Sequence, residues 1–136
     1  MASSLIEFKN LRKEVQGLAD ESKALQAMQF FKTGKSQYGE GDKFLGISVP
    51  EIRKIVRKYN KVFDLNEIRE LLLSGYNEER LLGLMILVEQ FGKIRKEEEV
   101  YNFYLRHMDR VNNWNLVDFS ARPIVGVYLM DKDRCI

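Results

Sequence analysis

The sequence predicts an all-α protein assembled as a stack of helical hairpins, and three observations carry that expectation. Apolar residues recur every three or four positions in successive segments of roughly 10–15 residues, joined by short connectors. β-Branched alternation of the kind that marks strands is absent. Only two prolines interrupt 136 residues. The length suits one domain, residues 1–136, with a real core.

The elements follow in order. Leu5 to Leu18 places apolar side chains at 5, 8, 11, 15 and 18, with Lys9, Arg12 and Lys13 off that stripe. Ser22 to Phe31 reads as a second helix, with Ala24, Met28 and Phe31 on one face. Thr33 to Asp42 holds three glycines without periodicity and reads as a loop. Phe44-Leu45-Gly46-Ile47 is a short apolar entry, and Val49-Pro50 opens the next helix with an early proline.

That helix, about Pro50 to Tyr59, is the clearest amphipathic element. Ile52, Ile55, Val56 and Tyr59 form its apolar side, while Arg53, Arg57 and Lys61 fall one turn apart with Lys54 and Lys58 beside them. Such a row of cations is either a phosphate-tracking surface or a merely solvated face. Leu65 to Ser74 follows, with Gly75 placed as its C′ residue. Asn77 is expected to cap Glu78 to Phe91, with acids in the first turn and Gly92 at the end. Leu81, Leu82, Leu84, Met85, Leu87 and Val88 make this helix apolar around much of its circumference, so it should be central. Glu97 to Met108 comes next, its acidic start complementing the helix dipole. Pro123 must kink or restart the last helical run, which Ile124 to Met130 completes. That stretch is apolar and lies six residues from the end of the sequence. An apolar face without a cover there points to a fragment, a truncated homologue, or a homo-oligomer in which a second copy of the chain covers it.

Composition narrows the function. Apolar residues make up 45% and charged residues 31% of the chain, as in a folded domain rather than a disordered one. A net charge of +2 leaves any nucleic-acid argument to where the cations lie. The single cysteine, Cys135, excludes an internal disulfide, and the lone His107 lacks a ligand-spaced partner and reads as a helix C-terminal histidine. No cofactor or metal is expected. Neither a membrane-length apolar run nor a signal peptide's basic-then-apolar order is present, which points to the cytosol. Thr33-Gly34-Lys35-Ser36 looks like a phosphate-binding loop but lacks the glycine five residues before Gly34, where Gln29 stands. One histidine and one terminal cysteine leave no nucleophile–base pair for acyl transfer. Tyr38, inside the glycine-rich loop, either packs back on the core or reaches a ligand.

The most specific stretch is Val111-Asn112-Asn113-Trp114-Asn115-Leu116-Val117-Asp118. Asn112 or Asn113 can cap a helix there, which sets Trp114 and Asp118 one turn apart on one face. An indole beside a carboxylate suits a cationic group held in a cleft. The bland alternative makes Trp114 a core residue and Asp118 the partner of Arg122.

The order of motifs resembles the DNA alkylation repair enzyme family, the HEAT-like-repeat alkylpurine DNA glycosylases. The matching pieces are Phe30-Phe31-Lys32-Thr33-Gly34, Tyr38 through Gly46 with Val49-Pro50-Glu51-Ile52-Arg53, Glu79-Arg80-Leu81-Leu82-Gly83-Leu84, Asn112 through Asp118, and Asp131-Lys132-Asp133-Arg134. The resemblance implies HEAT-like helical repeats forming an α-solenoid, with a basic concave face for double-stranded DNA carrying alkylated bases. It implies hydrolysis of the N-glycosidic bond of cationic purines such as 3-methyladenine and 7-methylguanine. Asp118 would stabilise the charge that builds on the sugar, and Trp114 would pack against that sugar. Tyr38, Lys43, Arg53, Lys54, Arg57, Lys58 and Lys61 would serve the DNA. Asn115 stands where family members often carry an acid. The family's second half, with a phosphate-binding arginine and a second tryptophan, has no counterpart here, so the fold is expected to be truncated at its C-terminus. A non-catalytic helical module binding nucleic acid or protein is the alternative.

Overall fold

The computed structural model describes residues 2–30, 43–59, 63–111, 116 and 120–127. Its α-helices are α1 (Ala2–Gly17), α2 (Glu21–Phe30), α3 (Val49–Tyr59), α4 (Leu65–Leu72), α5 (Asn77–Gln90) and α6 (Glu97–Arg106). A 3-10 turn, Met108–Arg110, and a π-helical turn, Arg122–Gly126, follow. Among the described residues there is no strand, only isolated bridges between Lys43 and Tyr76 and between Phe91 and Arg95. The helices expected for α1 to α6 are present with ends moved by one to a few residues, as fraying and capping decide ends more than periodicity does, whereas the loop expected over Thr33 to Asp42 and most of the helix expected to carry Trp114 lie outside the described residues.

The central helix is α5, which packs against both α3 and α4. Leu81, Leu82, Leu84, Ile86 and Leu87 are almost inaccessible, and each such side chain contributes about 1.5–3 kcal/mol on leaving water. Gly83 sets the approach of α4: a Cβ there would stand 3.0 Å from the Leu71 Cβ and 3.4 Å from the Ile68 carbonyl oxygen. Any larger residue would push the two helices apart.

The first turn of α5 departs from the expected Asn77 cap. Asn77, Glu78, Glu79 and Arg80 are all buried, and Tyr76 rather than Asn77 is the N-cap residue. The reason lies in the segment 43–48, which crosses this end of the helix without regular secondary structure. The Glu78 carboxylate accepts the backbone N–H groups of Leu45 (2.8 Å), Gly46 (2.9 Å) and Ile47 (3.3 Å). The Asn77 N–H donates to the Lys43 carbonyl at 2.7 Å, and the Asp20 N–H to the Leu45 carbonyl at 2.7 Å. Thus Leu45, Gly46 and Ile47 are buried with their N–H groups paired by α5 and the Leu45 carbonyl by Asp20, just before α2. Gly46 is the only residue type that fits: its φ is +85°, and a Cβ would fall 2.0 Å from the Asp20 carbonyl oxygen.

Helix α4 begins with a reciprocal cap, Asp64 accepting the Glu67 N–H at 2.9 Å while Glu67 accepts the Asp64 N–H at 3.2 Å. Its end corrects the expected glycine stop. Leu73 is the C-cap residue in the αR region, and Gly75 has no positive φ. Guanidinium groups do the capping instead. Arg110 donates to the carbonyls of Leu72 (3.0 Å), Leu73 (3.3 Å) and Ser74 (3.2 Å), and Arg80 to that of Ser74 (2.9 Å). Cations at a helix C-terminus also complement its dipole. At the end of α5, by contrast, Gly92 has φ +71° and turns the chain, as its position suggests.

The last described stretch docks on α6. Leu116, Ser120 and Ile124 are fully buried at four-residue spacing, and the Tyr104 hydroxyl meets the Ser120 Oγ at 2.9 Å. Ser120 spends its own proton on the Leu116 carbonyl at 2.6 Å, so Tyr104 is the donor between them. Burial raises the Tyr104 phenol above its ordinary value, against a smaller lowering by Ser120. Pro123, which has no N–H to give the helix, sits within the π-turn: the expected interruption takes the form of a locally widened helix. Ile124 joins the main core, so the apolar 124–130 stretch begins under cover of its own chain. Val127 is exposed, and residues 128–130 lie outside the described residues.

Candidate nucleic-acid interface

Helix α3 is fixed at its start by Ser48 and Glu51. The Glu51 carboxylate accepts both the Ser48 hydroxyl (2.9 Å) and the Ser48 N–H (3.2 Å), while the Ser48 Oγ accepts the Glu51 N–H at 3.4 Å. Those two donations from Ser48 hold the Glu51 carboxyl below its ordinary value. The helix buries Ile52, Ile55, Val56 and Tyr59, the four residues that the spacing puts inside. With that face committed to the core, Arg53, Lys54, Arg57 and Lys58 are all exposed.

The four cations are not equivalent. Lys58 pairs with Glu14 of α1, and the Tyr59 hydroxyl donates to the same carboxylate oxygen at 2.9 Å. The Lys58 hydrogen bond is the main cause lowering the Glu14 carboxyl, and Glu14 in turn raises the Lys58 ammonium. Burial is the main cause raising the Tyr59 phenol. Lys58 therefore ties α3 to α1 as well as adding charge.

Arg53 and Arg57 face a cleft of about 440 Å³ between α3, α5 and the π-turn. Val56 shares their side, Met85, Val88 and Glu89 come from α5, and Pro123 comes from the π-turn. Glu89 is partly engaged by Lys93 at 3.6 Å. The arrangement offers two guanidinium groups beside an apolar floor, which suits a sugar–phosphate edge: forked donors for the phosphate oxygens and apolar surface for the sugar. Pro123 stands five residues after Asp118 in the chain.

Lys43 is exposed, its backbone held by Gly75 and Asn77. Tyr38, Lys61, Trp114 and Asp118 lie outside the described residues, as does the side chain of Arg122. Sequence reasoning missed Glu89 and Val88 as lining residues. The signal was available: Glu89 is the one charged position in the second half of α5, where its apolar circumference opens, and Val88 adjoins it. Among the described residues no group of three His, Cys, Asp or Glu is placed to hold a metal ion, and no helix is long and apolar enough to cross a membrane.

The model of the family described as DNA alkylation repair enzyme matches residues 11–136. No curated protein and no solved structure gives a match.

Proposed function

Because the chain belongs to the DNA alkylation repair enzyme family, we propose that it binds alkylated duplex DNA along α3 and hydrolyses the N-glycosidic bond of cationic alkylpurines. The observation that supports this most directly is the cleft in which Arg53 and Arg57 meet Pro123, close in sequence to Trp114 and Asp118. In this reading the helix pairs belong to a HEAT-like stack, and the exposed α3 cations track the DNA backbone.

The chemistry asks little of acid catalysis. A 3- or 7-alkylated purine already carries positive charge, so when the C1′–N bond breaks both electrons pass to the base and it leaves neutral. The cost lies in the cationic sugar left behind. The Asp118 carboxylate stabilises that charge, Trp114 lends a π-face to it, and water adds at C1′ and gives up a proton. The products are free base and an abasic site.

Release of 3-methyladenine and 7-methylguanine from alkylated DNA tests the reading beside an Asp118→Asn variant. Loss of the charge should cut the rate by about 2 kcal/mol or more, roughly 30-fold. Equal release by both proteins would end the catalytic assignment. Replacing Arg53 and Arg57 by alanine should reduce the slope of log affinity against log salt by about 0.9 per lost phosphate contact. An unchanged slope would make the α3 face a solvated surface. A chain that binds DNA with that slope yet releases no base is a helical binding module.

A further inference from the structure

A second basic cleft lies away from α3. It has a volume of about 450 Å³ and is lined by Leu65, Asn66 and Arg69 from the α4 region and by Phe103, Arg106 and His107 from α6 and its end. Its position separates it from the first cleft. Gly83 marks the side of α5 that packs on α4. At about 100° per residue, Met85, Val88 and Glu89 fall roughly 140–240° around α5 from Gly83. The two clefts therefore sit on opposite sides of the central helix.

We propose that this second cleft binds a phosphate monoester or inorganic phosphate. Two exposed guanidinium groups reach it from different helices, and no carboxylate is among its described lining residues. A planar fork from Arg69 and another from Arg106 can each take two phosphate oxygens. His107 completes the set through a fixed tautomer. Its Nδ1 lies 2.7 Å from the Phe103 carbonyl oxygen, and a carbonyl can only accept, so Nδ1 carries a proton. The ring also lies against Phe103, tilted by 32° with centroids 4.3 Å apart. Nε2 is thereby the nitrogen left for a ligand.

That tautomer favours a monoester over a diester. A neutral Nε2 accepts from a P–OH group, and a protonated one donates to a P–O⁻, so a phosphate that retains an ionisable hydroxyl makes this bond in either state. A backbone diester has no P–OH and makes it only with the charged ring. The assignment does not depend on base excision at the other cleft.

His107 is the only histidine of the chain, so its imidazole signals stand alone in a nuclear magnetic resonance spectrum. Inorganic phosphate, titrated against chloride at matched ionic strength, should move those signals to saturation. Arg69→Ala and Arg106→Ala should each weaken the response by about 10-fold or more, the worth of a charge-assisted hydrogen bond. Both side chains are exposed, so these variants should keep the wild-type melting curve, and an Arg53→Ala/Arg57→Ala protein should respond as wild type does. A 5′-phosphorylated oligonucleotide and its 5′-hydroxyl twin separate the sources. Response to the phosphorylated strand alone assigns the cleft to a strand end, and response to inorganic phosphate alone assigns it to a free anion. An equal response to both strands would overturn the monoester assignment in favour of the diester backbone. Signals that move no further in phosphate than in chloride, or equally in the arginine variants, would overturn the site itself.

Discussion

Glu78→Gln puts the burial of the α5 first turn to a direct test. The Glu78 carboxylate is 5% exposed and accepts three backbone N–H groups, two on one oxygen and one on the other. Glutamine keeps the shape but has one oxygen and an NH₂ group. Its oxygen can serve Gly46 and Ile47, which leaves the NH₂ facing the Leu45 N–H, donor against donor. The charge-assisted bond to Leu45, about 1.5–3 kcal/mol, is then lost outright, and the remaining two weaken to neutral strength. The carboxylate also sits in the first turn of α5, where the helix dipole favours a negative charge. The expected loss is about 3 kcal/mol, or roughly 10–15 °C in melting temperature for a chain of this size. Thermal and urea unfolding followed by circular dichroism measure it, with Glu98→Gln at an exposed site as a control that should stay within about 0.5 kcal/mol. Hydrogen exchange at Leu45, Gly46 and Ile47 should quicken in the variant while exchange in α6 changes only as global stability does. If Glu78→Gln melts within about 2 °C of wild type, the buried carboxylate is not what holds segment 43–48, and the account of the buried α5 first turn fails with it.

Two further outcomes follow from other pairs. Ser120→Ala should cost more than Tyr104→Phe: the first strands a buried phenol without an acceptor, about 1–3 kcal/mol, while the second leaves Ser120 still bonded to Leu116 and costs about 1 kcal/mol. Equal unfolding midpoints for the two variants would contradict the donor assignment. The Glu14 carboxyl is lowered in the folded state chiefly by Lys58, so its contribution is present above the ordinary value of 4.5 and disappears as pH falls through the lowered one. Glu14→Gln should therefore be less stable than wild type at pH 7 and equal to it once Glu14 is protonated in both states. A stability difference that persists unchanged in strong acid would point to packing rather than charge.

What the sequence discloses and what it hides divide along physical lines. Helix α3 is legible because it is a surface helix: apolar spacing decides which four residues go in, and the cations have nowhere to go but out. The same logic misreads Asn77–Arg80, where four polar residues open a helix. A periodicity argument assigns such residues to water, whereas here the partner amides of Glu78 come from more than thirty positions earlier in the chain. Gly75 fails as a stop signal for a related reason: Arg110, far downstream, satisfies the carbonyls that a left-handed glycine would otherwise turn back on the helix. Lys58 is visible as a cation but not as the partner of Glu14, since that pair is made by the packing of α1 on α3. The candidate site divides in the same way. Trp114 and Asp118 are read from motif order and chemistry, while the cleft of Arg53 and Arg57 exists only once α5 and the π-turn stand beside α3. Pro123 belongs to the second of these. Its missing N–H widens the helix that follows the motif, and the residue itself lines the cleft, so one proline both interrupts the helix and shapes the wall that the α3 arginines face.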